Sequence, residues 1–195
     1  ISLRGASVGA SVTLVNTQFY NNKSNEGGAI YFYGILLVNR CTFSGNSAIT
    51  GGALYGMGAS AFSVFARIEN SLIVGNIADN YAAVYSDDVL LGSVNGYRIF
   101  NSTIPHNKTL NLSGTSMKLT PQSVLKNSVV WGNSNSNNIS ALNQTSGQVN
   151  LANILSNTIE NGAISNNYNF NPIFISPGNS LNAPFNEANF NYRLD

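Results

Sequence analysis

A degenerate motif recurs along the chain and limits what it can fold into. The motif is a polar residue, usually Asn, then a small hydroxyl or thiol residue, a variable residue, an apolar residue, two variable residues and Asn. Its apolar position recurs at spacings of 24, 30, 31, 26 and 29 residues. Repeats of helical hairpins keep a stricter length, whereas β-solenoids tolerate loops of different sizes. The copies are NTQFYNN (16–22), RCTFSGN (40–46), NSLIVGN (70–76), NSTIPHN (101–107), NSVVWGN (127–133) and a looser NTIENG (157–162).

Each period also contains two further apolar segments. One follows the closing Asn, and the other precedes the next copy of the motif. Three short strands per period, separated by Gly and Asn turns, predict an all-β fold, a right-handed parallel β-helix. We expect about six to seven coils of roughly 28 residues over 1–165 and an irregular capping segment over 166–195. The two sets of segments are EGGAIYF (26–32), TGGALYG (50–56) and NYAAVYS (80–86), and GILLV (34–38), FARI (65–68), YRIF (97–100), SVL (123–125) and QVNLANIL (148–155).

The composition agrees with a β-fold and excludes some functions. Charged residues make up only 9% of the 195 residues, against about 25% in an average domain. Asn, Ser and Gly replace them, and these residues are poor helix formers. A formal net charge of +1 excludes the polybasic surface typical of nucleic-acid binding. We find no run of 18 apolar residues that could span a membrane and no signal-peptide pattern, and we interpret the chain as a piece of a longer protein.

Stacked coils predict ladders of identical side chains. Neighbouring coils lie about 4.8 Å apart, so each repeat position lies directly above its counterpart. Stacked amides can then hydrogen-bond along the axis and satisfy buried turn groups. The main predicted structural ladder comprises Asn22, Asn46, Asn76, Asn107 and Asn133. A second predicted ladder comprises Asn16, Asn70, Asn101 and Asn127, and Arg40 interrupts it.

Two residue types that often carry chemistry occur once each. Cys41 occupies the position held elsewhere by Ser71 and Ser102, so we expect a small buried member of a stack, the alternative being a reactive thiol. His106 occupies a position held by Gly75 and Gly132. We therefore expect an exposed turn histidine, with a catalytic or ligand role as the alternative.

Tyr31, Tyr55 and Tyr85 occupy one repeat position. If this position faces outward, the three rings form an exposed ladder, and amphipathic rings of this kind suit sugar binding. The alternative is that the rings pack on one another and only stiffen this face. The three tyrosines are thus the candidate ligand-binding residues.

The acidic residues offer little for catalysis. Polysaccharide hydrolysis needs paired carboxylates at a set separation, and Asp87-Asp88 is the only adjacent acidic pair. A solvated loop pair is the simplest interpretation, with a calcium site or a catalytic pair as alternatives. No zinc or phosphate-binding motif occurs, and we expect no cofactor and no catalytic residue.

Two families resemble parts of this sequence. GGAI and GGAL, paired with FYNN and FSGN, resemble the repeat of chlamydial polymorphic outer-membrane proteins, whose passengers are β-helices. In the second half NSVVWGNSNSN, NILSNTIENG, NPIFISPGN and NYRL resemble the terminal coils of choice-of-anchor Q proteins. That resemblance implies a bacterial surface or secreted β-helix exported by type IX secretion machinery, although no sorting domain or anchor follows Asp195.

Three function hypotheses follow from the residues and the resemblance. The first is a non-enzymatic extracellular or cell-surface segment that acts as a rigid spacer or adhesin, with glycans or a host surface as partners. The second is a polysaccharide lyase or glycoside hydrolase whose site lies near Asp87-Asp88 or on coils outside this chain. The third is the scaffold of a secretion-system cargo or phage protein. The fold alone does not distinguish them.

Overall fold

The computed structural model describes residues 1–4, 11–57, 65–87, 96–112, 114–120, 123–135, 142–144, 150–156, 163–165, 174–176 and 191–194. All the regular secondary structure in these ranges is β-strand. A helix long and apolar enough to cross a membrane is absent from this part of the chain. The all-β class is therefore confirmed.

The strands are short and follow one another closely along the chain. The first eleven are β1 (Ser2–Arg4), β2 (Ser11–Val15), β3 (Gln18–Tyr20), β4 (Ile30–Tyr33), β5 (Ile35–Asn39), β6 (Thr42–Ser44), β7 (Ser47–Thr50), β8 (Leu54–Gly56), β9 (Phe65–Glu69), β10 (Leu72–Val74) and β11 (Ile77–Asn80). The others are β12 (Val84–Ser86), β13 (Gly96–Phe100), β14 (Thr103–Pro105), β15 (Lys108–Thr109), β16 (Met117–Leu119), β17 (Val124–Trp131), β18 (Leu142–Gln144), β19 (Asn150–Ser156), β20 (Ala163–Ser165), β21 (Phe174–Ser176) and β22 (Asn191–Leu194).

Strands from successive repeats pair in parallel. The first sheet has the order β1-β4-β8-β12-β16-β18, and the third has the order β15-β11-β7. The second sheet runs β2-β5-β9-β13-β17-β14-β10-β6-β3, because the long β17 pairs with both β13 and β14, and β19 and β20 extend it. Successive repeats thus add strands to the same three sheets, and each strand of these sheets lies beside its counterpart one repeat away. Parallel pairing at the repeat spacing is confirmed.

The strand register agrees with the repeat alignment for the first five copies. Phe43 pairs with Phe19 and with Ile73, and Ile104 pairs with Val130. The looser sixth copy was placed wrongly. It aligned Ile159 with Val130, whereas β19 brings Ser156 opposite Val130. The motif search followed the nearest Asn-Thr pair, while strand pairing follows the apolar alternation of the preceding segment.

The structure contains a fourth strand in the repeat, which the sequence analysis did not predict. β7, β11 and β15 follow the closing Asn of their motifs and form the third sheet. They contain only two to four residues, and Ile49 in β7 is 51% exposed. These segments lack the alternation of apolar and polar residues that identifies a strand.

Left-handed turns explain the recurring polar residue that opens the motif. Asn tolerates positive φ better than other residues with a side chain. Asn70 also donates its Nδ2 to Asn39 Oδ1 at 3.0 Å, a residue outside the predicted second set. The residues at this turn are all exposed and have φ between 49° and 56°: Asn16, Arg40, Asn70, Asn101 and Asn127.

Most differences in repeat length arise at one corner, between the first and second sheets. Only Gly34 separates β4 from β5, whereas residues 57–64 separate β8 from β9 and residues 87–95 separate β12 from β13. Strand register is nevertheless kept on both sides of this corner, for example between Tyr55 and Tyr85 and between Ile68 and Ile99. The corner absorbs the extra residues.

The core lies between the sheets and is formed by stacks of inward-facing side chains. Phe19 and Phe43 stack with ring centroids 4.9 Å apart and planes 2° apart. Phe32 meets the buried Tyr97 ring edge-on at 5.9 Å. The largest fully buried side chains include Ile30, Leu36, Leu54, Ile68, Ile73, Ile99, Ile104, Met117 and Leu119.

The C-terminal part of the chain contains a different kind of pairing. β21 and β22 are antiparallel, with Phe174 opposite Leu194. They lie within the segment expected to cap the last coil, most of which falls outside the described residues. The assignment of 166–195 as a cap stays a prediction.

Candidate functional site

The asparagine ladder comprises Asn22, Asn46, Asn76, Asn107 and Asn133. In each of its four steps the Nδ2 of one member donates to the Oδ1 of the next, at 2.8 to 2.9 Å. The backbone N–H of the first member in each step donates to the same oxygen, at 2.9 to 3.0 Å. One amide oxygen therefore accepts two bonds from the preceding repeat.

A further bond ties the ladder to the strands beside it. Asn46 Nδ2 donates to the carbonyl of Phe19 at 3.0 Å, and Asn133 Nδ2 donates to that of Ile104 at 2.7 Å. Asn46, Asn76 and Asn107 are fully buried. Because a buried amide without partners is costly, each of these three members depends on its neighbours in the preceding and the following repeat.

The stack in which Cys41 was expected to be a small buried member is present, and it is hydrogen-bonded from repeat to repeat. The backbone N–H of Cys41 donates to Ser71 Oγ at 3.1 Å, that of Ser71 to Ser102 Oγ at 3.2 Å, and that of Ser102 to Ser128 Oγ at 3.2 Å. Each serine hydroxyl in turn donates to the carbonyl two residues before it. Cys41 is 1% exposed, and its Sγ lies 3.4 Å from the carbonyl of Asn39.

The candidate ligand-binding tyrosines come together in the first sheet. Tyr31 pairs with Tyr55, and Tyr55 with Tyr85. The ring centroids of Tyr31 and Tyr55 lie 5.3 Å apart, and those of Tyr55 and Tyr85 lie 4.7 Å apart. Tyr81 adds a fourth ring, stacked on Tyr85 at 4.9 Å, and Lys118 Nζ lies 5.1 Å from the Tyr85 centroid. We call these four rings the tyrosine stack.

The stack is less exposed than an open ladder of rings. Tyr55 is 8% exposed, and Tyr31 and Tyr85 are half-buried. Strand spacing in a sheet is close to the distance at which aromatic rings pack, so each ring covers the face of the next. Sugar stacking needs an uncovered ring face, and rings that cover one another offer less of it than an open ladder would.

One end of the stack opens into a cleft. The cleft has a volume of about 410 Å³, and its lining includes Ser2, Lys23, Glu26, Gly27 and Tyr31. It therefore combines an aromatic ring, a cation, a carboxylate and backbone amides. This mixture can hydrogen-bond a polar ligand that also stacks on a ring.

Asp87 contacts the middle of the tyrosine stack. Its Oδ2 accepts a hydrogen bond from the Tyr55 hydroxyl at 3.5 Å. Burial, and next the Asp87 carboxylate, raise the pKa of the Tyr55 hydroxyl above its usual value, so Tyr55 stays protonated and donates. Asp88 lies outside the described residues. The part of the chain that the structure describes contains no group of three or more His, Cys, Asp and Glu residues placed to hold a metal ion.

His106 occupies a left-handed turn with φ of 53°, as expected for a turn position. The expectation that its ring is exposed was wrong, because the ring is half-buried. Burial lowers the pKa of the imidazole to about 4, while a hydrogen bond with the backbone of Gly132 acts in the opposite direction. A methyl group on Gly132 would lie 2.5 Å from the ring, so the glycine in the next repeat makes room for it.

Comparison with known protein families gives one matching family model, which matches two segments of the chain. The model of the Chlamydia polymorphic membrane protein repeat matches residues 16–33 and 40–57. The matched segments include two members of the asparagine ladder and the first two rings of the tyrosine stack. Neither the curated proteins nor the solved structures gave a match to this chain.

The asparagine ladder generates a stability prediction. Asn76→Leu removes a side chain that bonds both neighbouring repeats, which leaves buried donors and acceptors without partners. We expect the free energy of unfolding to fall by on the order of 1–3 kcal/mol, measured as the midpoint of urea denaturation. Asn111→Leu is the matched control, because Asn111 is exposed and its amide bonds Asn80 outside the ladder. Equal midpoints for Asn76→Leu and the unaltered chain would contradict the role of the ladder.

The low pKa of His106 generates a pH prediction. The imidazole has a pKa of about 4 in the folded chain and about 6.5 when unfolded. The unfolded state therefore binds more protons between these values, and stability falls as the pH falls from about 6.5 towards 4. His106→Asn keeps the left-handed turn and removes this titration.

We expect the difference in unfolding free energy between pH 7 and pH 5 to be about 1–2 kcal/mol larger in the unaltered chain than in His106→Asn. Urea denaturation at both pH values measures this difference. The comparison of the two proteins removes the contribution of the carboxylates to the pH dependence, since the carboxylates titrate alike in both. The same pH dependence in both would show that the ring is accessible to protons in the folded state.

Proposed function

We propose that this chain is a segment of a right-handed parallel β-helix in a bacterial surface or secreted protein, where it acts as a rigid spacer with an adhesive face. The asparagine ladder carries this proposal. Four consecutive amide steps join five repeats, and in each step the bonds cross from one repeat to the next. In a solenoid each repeat contacts only its neighbours, so bonds between repeats set the stiffness of the whole.

The location at a surface is supported by the repeat match. The Chlamydia polymorphic membrane protein repeat covers residues 16–33 and 40–57, and its name places such repeats in membrane-associated proteins. A surface poor in charge and rich in amides is compatible with an extracellular setting. Export by type IX secretion machinery and kinship with choice-of-anchor Q proteins rest on the resemblance of the second half of the sequence.

The adhesive face is the tyrosine stack with its cleft. Tyr31 lines the cleft, and Tyr55 and Tyr85 hold the Tyr31 ring from behind through stacking. Rigid aromatic rings lose little conformational entropy on binding. A glycan that stacks on Tyr31 and hydrogen-bonds Lys23 and Glu26 is the ligand that this arrangement fits.

Spin labels test the rigid solenoid. Val15 and Lys126 lie in one row, linked through Asn39, Glu69 and Phe100 by four steps of strand register. Four steps of about 4.8 Å place their Cα atoms about 19 Å apart. Val15→Cys and Lys126→Cys, in a Cys41→Ser background, receive the two labels. Ser71 already occupies the position of Cys41 in the next repeat, so this background suits the fold.

We expect pulsed electron-electron double resonance between the two spin labels to give one narrow distance peak near this spacing, after allowance for the label linkers. The same pair in concentrated urea is the control and should give a broad distribution. A broad or multiple distribution in native buffer would contradict a rigid stack of coils.

A glycan array tests the adhesive face. We expect saturable binding of at least one glycan class, reduced about tenfold or more in Tyr55→Ala, because loss of the middle ring releases the Tyr31 ring from its packing. Tyr20→Ala is the matched control, since Tyr20 is a 45% exposed tyrosine in β3. Absence of binding, or equal loss in both variants, would remove the tyrosine stack as the adhesive face.

A further inference from the structure

Four cations lie together on the outer surface of the second sheet. They are Arg40, Arg67, Arg98 and Lys126, and we call them the basic face. Arg67 pairs directly with Arg98, Lys126 pairs with Phe100 two residues beyond Arg98, and Arg40 follows the residue that pairs with Glu69. Four consecutive repeats thus contribute one cation each.

The basic face concentrates charge on a chain that has little of it. The four residues are among nine Lys and Arg in the whole sequence. Arg40, Arg67 and Arg98 are exposed, and Lys126 is half-buried. Within the described strands of this face Glu69 is the one acidic residue, so the four cations and one carboxylate give a net positive charge. The remainder of the chain is net negative, since the overall charge is only +1.

Like charges stand directly opposite each other at the centre of this face. A pair such as Arg67 and Arg98 on adjacent strands is destabilising. Glu69 accepts a 2.6 Å bond from Arg67 Nη2, and the Arg67 guanidinium lies 5.7 Å from the Phe100 centroid. These contacts orient the exposed Arg67 guanidinium on the outer surface of the sheet, where an oxyanion can reach it.

Exposed amides border the basic face. Asn70, Asn101 and Asn127 occupy the left-handed turn that follows β9, β13 and the first half of β17. All three are exposed. Amides both donate and accept hydrogen bonds, so they can bind the hydroxyl groups of a polymer whose acidic groups contact the cations.

We propose that the basic face binds an acidic polysaccharide, with carboxylate or sulfate groups on Arg67 and Arg98 and sugar hydroxyls on the bordering amides. Guanidinium groups bind such oxyanions in a bidentate manner. One cation for each repeat of about 4.8 Å suits a polymer with one charge per sugar better than duplex DNA, which carries one charge per about 1.7 Å. The inference goes beyond the proposed function, because a rigid spacer needs no anionic ligand and the tyrosine stack lies on another sheet.

Binding to heparin, polygalacturonate, neutral dextran and single-stranded DNA tests the proposal, by isothermal titration calorimetry at low and physiological salt. We expect binding to at least one acidic polysaccharide that weakens with salt and is absent for dextran. The double variant Arg67→Gln/Arg98→Gln should lose tenfold or more in affinity. Glu69→Gln should gain severalfold, because it removes the acidic residue from the face.

Two controls separate this result from general charge attraction and from misfolding. Lys108→Gln removes a cation from β15 in the third sheet and should retain affinity within about twofold, and all variants should still unfold in one cooperative thermal transition. Tyr55→Ala should also retain it, so failure of the tyrosine stack and failure of the basic face are distinguishable. Equal loss in Lys108→Gln, tighter binding of DNA than of polysaccharide, or no binding of either acidic polymer would overturn the proposal.

Discussion

The hydrogen bond between the side-chain amides of asparagines in neighbouring repeats is the interaction on which the rest of this structure depends. It works only if every repeat places its Asn directly beside the last, because the Nδ2 and the backbone N–H of one residue share the oxygen of the next. That requirement fixes the register of β3, β6, β10, β14 and the end of β17. With the register fixed, every other position along the repeat becomes a stack, inside and outside.

Stacking like on like has opposite effects for different side chains. Aromatic rings gain from it, as in the Phe19–Phe43 pair in the core and the tyrosine stack outside. Serine hydroxyls gain by accepting a hydrogen bond from the backbone N–H of the preceding repeat. Guanidinium groups lose, because Arg67 and Arg98 repel each other. A chain with few charges can adopt this architecture easily, and its few charged stacks are therefore the places where a ligand has most to offer.

The features that the repeated motif itself carries could be predicted from the sequence. The apolar register from Phe19 to Val130 was visible because each of these copies keeps its closing Asn. The third sheet was missed, since its two- to four-residue strands carry no alternation and Ile49 points outward. The burial of His106 was missed because it depends on a glycine one repeat away. The basic face was not predicted, because the segments at the corner differ in length between repeats and only the strand pairing shows that Arg67 lies opposite Arg98.

That corner has an implication for how such a chain can change. One residue joins β4 to β5, and nine join β12 to β13, yet the strands on both sides keep their partners. Insertions there need not disturb the hydrogen bonds between repeats, because the strands on both sides keep their register whatever the number of residues between them. Loops of different length and chemistry can thus be exchanged at this edge while the rest of the repeat is held constant, much as antibody loops vary on an unchanged framework.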